Sequence, residues 1–352
     1  MSKTRIAAPL LATTLLLAAC GGGGGGGGGS AQPAGTGGPG VATQSAEPSA
    51  APSTSPTHRG GPPTTKDAKF PEISAGKNFG QDPTITFSGL PPADIMFKVL
   101  SEGSGPEVQV GDAIVADFRG QIWQEENLEV PPFENTFTTD PIVKLIGKNQ
   151  IIPAWDLKIP GVKVGSRVML VAPPSAAFGP AGKEDAGILG IDTLAFVIDI
   201  IDALDPRKVP DGAKVTPPAG LPAVEGDYDP KVVPPKKTAP KELVAQLLVK
   251  GKGPAVKTDQ TLAVNYRGVI WKDGKQFDAS WGRPTGPAPL GFHLGAEGII
   301  KGWNEGLRGK PVGSRVLLVV PPDFGYGSKG LSAVGIGPND TLVFVVDILG
   351  AY

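Results

Sequence analysis

Two stretches of this chain are versions of one another, and that repeat limits what it can fold into more than any other feature. Residues 147–159 read GKNQIIPAWDLKI and residues 295–307 read GAEGIIKGWNEGL, so Trp155 and Trp303 stand 148 positions apart. Ile299, Ile300, Trp303 and Leu307 fall on one face of a short helix, and Ile151, Ile152, Trp155 and Ile159 repeat the pattern. Many other landmarks recur at the same offset. A length of 352 residues leaves room for two copies of one small domain with connecting segments around them.

Strand signals flank each helix. Leu262, Val264 and Tyr266 alternate with Ala263, Asn265 and Arg267. The run at 315–320 stops at Pro321-Pro322, which cannot continue a central strand. Residues 341–349 set Leu342, Phe344, Val346 and Ile348 on one face. The first copy repeats these runs at 115–120, 167–171 and 193–201, the second of them stopped by Pro173-Pro174. Lys272-Asp273-Gly274-Lys275 reads as a hairpin turn, and Pro153 sits at a helix start, where a missing N–H matters least. The expected unit is a predominantly antiparallel sheet wrapped on one helix, an α+β architecture.

Composition narrows the chemistry. The net charge is −1 with no long run of one sign, which argues against nucleic acid as a partner. One cysteine and two histidines, His58 and His293, are too few for a zinc site, a Cys–His pair or a disulfide framework. No metal and no cofactor is expected.

The chain divides by composition. Residues 1–20 carry Lys3 and Arg5, then an apolar run, then Leu17-Ala18-Ala19-Cys20. This reads as a secretory signal whose end resembles a bacterial lipobox, with Cys20 as the lipidated residue. It implies a chain lipid-anchored to the extracytoplasmic face of the bacterial cell membrane. Residues 21–80 are Gly-, Ser- and Pro-rich and read as a disordered tether. Residues 81–205 form the first domain, 206–239 a Pro-rich linker and 240–352 the second domain. An edge strand is expected near Pro83–Phe87, and each copy is expected to own a short N-terminal extension.

In the second copy the ordered series is NYRG (265–268), DGKQFDAS (273–280), GAEGIIKGWNEGL (295–307), VGSR (312–315), VPPDFGYG (320–327) and TLVFVVDIL (341–349). It resembles the FKBP-type peptidyl-prolyl cis-trans isomerase domain across nearly all of 240–352. Residues 92–204 show the same order with looser matches. The resemblance implies two tandem FKBP-like domains, each a curved antiparallel β-sheet around a short α-helix, with an apolar pocket between them. It also implies prolyl isomerisation of unfolded or secreted proline-containing polypeptides, and macrolides of the rapamycin or tacrolimus class as possible ligands.

Carried over by position, the catalytic set is Tyr266, Phe277, Asp278, Ile300, Trp303, Tyr326 and Phe344, and the substrate-binding set is Leu290, Ile299 and Ile336. Trp303 would form the floor, the Ile300 N–H and the Tyr326 hydroxyl would donate to a bound carbonyl, and Asp278 would stand at the rim. Leu290 departs from the family, where an aromatic is usual. The first-domain equivalents are Phe118, Phe133, Glu134, Ile142, Ile151, Ile152, Trp155, Phe178, Ile188 and Phe196. There both tyrosine hydroxyls are gone, which implies a degenerate pocket and places the activity mainly in the second domain. The competing reading is a non-catalytic peptide-binding chaperone or adaptor with two apolar pockets. Trp123 and Trp271 receive no role, while Trp281, just after the FDAS stretch, is a candidate for substrate contact.

Overall fold

The computed structural model describes residues 68–124 and 131–352. Cys20, His58 and the leader and most of the tether lie outside them. Domain 1 opens with a hairpin of β1 (Glu72–Ala75) and β2 (Thr84–Thr86). Its sheet comprises β3 (Met96–Ser101), β4 (Ala113–Ile122), β5 (Glu134–Asn135), β6 (Ile142–Leu145), β7 (Arg167–Ala172) and β8 (Leu194–Leu204), with helix α1 (Pro153–Lys158) between β6 and β7. The strand order is β3-β7-β8-β4-β5, all antiparallel, with β6 also paired to β4.

Domain 2 repeats the plan. A bridge strand β9 (Ala213–Lys214) and a hairpin of β10 (Ala223–Glu225) and β11 (Lys231–Val233) come first. Then follow β12 (Val244–Lys250), β13 (Thr261–Ile270), β14 (Gln276–Ala279), β15 (Leu290–His293), helix α2 (Lys301–Leu307), β16 (Arg315–Val320) and β17 (Leu342–Ala351). The order is β14-β13-β17-β16-β12-β9, with β15 paired to β13. Pro153 opens α1 as its position suggested, whereas α2 begins one residue after Ile300, leaving both isoleucines on the approach to the helix.

Alternation along the strands fills both faces of each sheet. On the inner face of domain 2, Leu342, Phe344, Val346 and Ile348 pack with Trp303 and Leu307 of α2. On the outer face, Leu317, Val319, Val343 and Val345 are also fully buried, together with Val232 and Trp271. Domain 1 does the same: Ile85 and Phe87 cover Met169, Val171, Ala195 and Val197. The N-terminal extensions are therefore belts over the outer faces.

These belts revise two expected boundaries. Ordered structure starts before residue 80, because β1 lies inside the stretch read as tether. Residues 206–239 are not a free linker, because their short strands belong to domain 2 and their apolar members cover its sheet.

Each belt is fastened by an arginine. Arg167 meets Asp199 through two bonds, Nε to Oδ1 at 2.6 Å and Nη2 to Oδ2 at 2.8 Å. Its remaining N–H groups donate to the carbonyls of Gly76 and Gln81. Arg315 holds Asp347 at 2.7 Å in both bonds and donates to the carbonyls of Gly226 and Asp227 at 3.1 and 2.7 Å. The planar guanidinium suits a double carboxylate contact and has N–H groups to spare. Trp123 and Trp271 are struts of the same belts, their indole N–H groups donating to Gly89 O at 3.0 Å and Lys237 O at 2.9 Å. Trp281 is buried and lies outside the hydrophobic cluster around Trp303.

Candidate functional site

The aromatic box of domain 2 is assembled from β13, β14, β15, α2 and β17. Trp303 of α2 sits at its centre. Its ring lies 5.3 Å from Tyr266 at 81°, 5.3 Å from Phe344 at 83° and 5.2 Å from Phe292 at 57°. Phe277 stands edge-on to Phe344 at 5.5 Å and 86°. Near-perpendicular contacts bring the positive edge of one ring to the negative face of the next. Gly268 makes room for this arrangement, since a Cβ there would lie 2.5 Å from the Phe277 ring and 3.0 Å from Phe344. The indole N–H of Trp303 is buried without a hydrogen-bond partner, as is that of Trp155.

The polar part is small. The Tyr266 hydroxyl donates a short hydrogen bond to Asp278 Oδ2. Asp278 Oδ1 accepts the Ala279 N–H at 2.8 Å and faces Arg283 at 3.5 Å. Burial, and then the Asp278 charge, push both tyrosine hydroxyls above their ordinary pKa, so Tyr266 and Tyr326 stay protonated as donors at neutral pH. The Ile300 carbonyl starts α2, accepting the Trp303 N–H at 3.0 Å. The Ile300 N–H has no acceptor among the described residues. Asn304 reaches back from the helix, its Oδ1 accepting the Gly295 N–H at 2.9 Å, which steadies the loop that delivers Ile299 and Ile300.

Of the ten domain-2 residues singled out from sequence, Tyr266, Trp303, Ile336 and Phe344 are buried in one cluster, with Phe277, Ile299, Ile300 and Tyr326 packed against it. Asp278 joins through its bond to Tyr266. Leu290 stands apart, 37% exposed on β15. Sequence reasoning missed Phe292. It lies two residues beyond Leu290, on the same face of the strand, and that alternation in Leu290-Gly291-Phe292 was the available signal.

Domain 1 builds the same box without the hydroxyls. Phe118, Ile152, Trp155, Ile188 and Phe196 are buried together, with Phe133, Ile142, Ile151 and Phe178 packed around them. Trp155 stands 5.4 Å from Phe118 at 85° and 5.7 Å from Phe196 at 87°. The Ile152 N–H, like that of Ile300, has no acceptor among the described residues. Glu134 reaches water, yet the crowded rim around its carboxyl pushes its pKa up, against the pull of Lys183 and Lys144. Lys183 lies over the Phe178 ring at 5.7 Å. No tyrosine faces Glu134, so the hydroxyl–carboxylate bond of domain 2 has no counterpart.

The family profile described as FKBP-type peptidyl-prolyl cis-trans isomerase matches residues 105–201 and 253–349. The chain is 41% identical over 110 residues to an "FK506-binding protein" of Streptomyces anulatus, a match covering 31% of this chain and 86% of that protein. It is 45% identical over 113 residues to the FKBP-type peptidyl-prolyl cis-trans isomerase FkpA of Escherichia coli strain K12, covering 32% of this chain and 39% of that one. It is 44% identical over 87 residues to "FK506-binding protein 2" of Gibberella zeae, covering 25% of this chain and 42% of the relative. The chain thus spans most of the first relative and well under half of the other two.

Proposed function

The chain belongs to the FKBP-type peptidyl-prolyl cis-trans isomerase family, and on that premise we propose that its second domain isomerises X–Pro bonds while its first binds the same kind of chain with little turnover. The observation that carries this division is the Tyr266–Asp278 hydrogen bond beside Tyr326, set over an aromatic box that both domains otherwise share.

The chemistry asks for little else. Rotation about a peptide C–N bond must overcome about 18–20 kcal/mol of lost resonance, and no bond is broken. X–Pro bonds populate both isomers and exchange over roughly tens to hundreds of seconds unaided. An apolar pocket disfavours the charge-separated planar amide more than the twisted one. Trp303 supports the proline ring, and the Ile300 N–H and Tyr326 hydroxyl hold the carbonyls of the twisted backbone. The donors are fixed before the substrate arrives, which is preorganised electrostatic stabilisation. The Tyr266–Asp278 bond anchors one side of the rim and keeps the carboxylate occupied.

The second reading, a peptide-binding chaperone, is favoured for domain 1 by its complete aromatic box and by an Ile152 N–H that has no acceptor among the described residues. Two pockets on one chain would raise the effective concentration of one for a polypeptide held by the other. The substrates are unfolded or secreted proline-containing polypeptides. The names of the Streptomyces and Gibberella relatives support FK506-class macrolides as ligands of domain 2, with Leu290 offering less wall than an aromatic. The sequence Leu17-Ala18-Ala19-Cys20 supports lipidation at Cys20 and a place on the extracytoplasmic face of the membrane. Two or three acyl chains anchor stably, whereas one is marginal.

The test uses the full chain and a short X–Pro peptide. Tyr326→Phe is expected to lower kcat/KM by roughly tenfold, the worth of one neutral hydrogen bond, while Phe178→Leu in domain 1 leaves it unchanged. An unchanged rate in Tyr326→Phe, or an equal loss in Phe178→Leu, refutes the division of labour.

A further inference from the structure

The two domains touch through the same face of each. Ala113, Val115, Val143 and Leu145 of domain 1 form one buried cluster with Ala263 and Ala288 of domain 2. Val143 and Gly291 occupy equivalent places in the repeat, as do Val115 and Ala263. A patch meeting its own copy is the arrangement of a two-fold dimer, here within one chain. The copies differ at the centre. A Cβ on Gly291 would lie 2.6 Å from the Val143 side chain, so the valine of β6 fits only because β15 carries none. Polar contacts surround this point. Asp140 Oδ1 lies 2.6 Å from His293 Nδ1 and accepts from Thr261 at 3.3 Å. The Tyr352 hydroxyl donates to Asp202 at 2.7 Å.

Strand β15 thereby has two faces with two duties. Gly291 faces domain 1, and Phe292 faces Trp303. The strand is four residues long and pairs with β13 on one side only. Such an edge strand has little intrinsic rigidity, and what backs it is β6. Resting on the reading of domain 2 as the catalytic one, we propose that Val143 and Asp140 of domain 1 are positioning residues for the pocket of domain 2: they set where Phe292 stands against Trp303, and so the shape of the proline site. Domain 1 then contributes to catalysis through a strand it does not own.

The experiment is an exchange of the valine side chain across the contact, in the full chain. Gly291→Val is expected to raise KM for an X–Pro peptide on the order of tenfold, because a small misplacement of a binding wall is costly, and to shift the Trp303 indole N–H resonance. The double variant Gly291→Val/Val143→Gly moves the side chain to the other strand and is expected to return both readouts to within about twofold, since contacting sites couple. A Gly291→Val chain with wild-type KM and resonance overturns the proposal. So does a defect that Val143→Gly fails to restore, which would mark strain local to β15. Where Gly291→Val does not fold, Asp140→Asn decides: it keeps the shape of the contact, and an unmoved Trp303 resonance refutes the positioning role. A wild-type chain without isomerase activity would defeat the catalytic reading, while the resonance would still decide whether domain 1 positions β15.

Discussion

The Tyr266 hydroxyl donates to the Asp278 carboxylate across the rim of the second pocket, and at the matching place in the first domain Phe118 and Glu134 cannot form that bond. Removing it by Tyr266→Phe leaves the ring against Trp303 and frees one carboxylate oxygen. Bonds to charged groups are worth about 1.5–3 kcal/mol. The bond exists in the folded chain before substrate binds, so its loss should lower the melting temperature by several degrees, and isomerase kcat/KM should fall as the rim loses its anchor. A peptide isomerisation assay beside a thermal melt checks both.

The converse change should create activity. Phe118→Tyr, Glu134→Asp and Phe178→Tyr together restore the polar rim to a domain-1 box whose aromatic floor is intact. Placed in a chain whose second domain is weakened by Tyr266→Phe/Tyr326→Phe, the triple variant is expected to raise turnover above that of the weakened chain. No recovery would mean that the polar rim alone does not make the first box catalytic.

Gly268→Ala should damage the pocket without touching substrate. The new methyl meets the Phe277 ring, which must swing away from Phe344. Overpacking of this kind costs about 1–3 kcal/mol. A denaturant titration should show that loss, and peptide affinity should weaken in parallel. Gly120→Ala, against Phe133, is the matched test in domain 1.

The helix and the long strands were legible in sequence because their signals are local, whereas the candidate site residues came from the family resemblance. Spacing of Trp303 and Leu307 needs only a helix, and alternation in 341–349 needs only a strand. The belts were legible only in part: a strand near Pro83–Phe87 and a short extension on each copy were expected, but not the hairpins that cover the outer faces. Strands of three residues such as β10 and β11 are too short to show alternation, and the prolines around them mimic a linker. What orders them is Arg315, nearly ninety positions downstream. The contact of Gly291 with Val143 was hidden for the same reason. Leu290 drew attention through its departure from a family pattern, while Phe292 was passed over because only the structure sets it against Trp303.

The belts predict a large stability effect far from the pocket. Arg315→Met leaves the buried Asp347 carboxylate without its partner and the Gly226 and Asp227 carbonyls without a donor. Breaking one side of a buried pair costs about 3–5 kcal/mol. The denaturation midpoint of domain 2 should drop accordingly. Arg315→Met/Asp347→Leu should recover part of the loss, since the buried charge is then gone.

Alkaline conditions should weaken the fold through its tyrosines. Burial and the neighbouring Asp202 raise the pKa of Tyr352, as burial and Asp278 raise that of Tyr266. Below pH of about 10, the ordinary tyrosine value, folded and unfolded chains both keep these protons and stability does not respond to them. Above it the unfolded chain releases protons that the folded chain retains, so stability falls as pH rises. Urea midpoints at about pH 9 and about pH 11 should differ less in Tyr352→Phe than in the wild type.

The arginine clamps also set a timetable for the chain as it emerges. Each hairpin is made first, but the aspartate that completes its fastening, Asp199 or Asp347, sits on the final strand of its domain. The apolar belt residues must therefore wait, uncovered, for nearly a whole domain of polypeptide to appear. Closure depends on contacts between residues far apart in sequence, the kind that form slowly. The prolines that crowd residues 205–240 keep that waiting segment from pairing prematurely, because a proline offers no N–H to a neighbouring strand. A member of a peptidyl-prolyl isomerase family thus has, in its own outer layer, a part that can only be completed last.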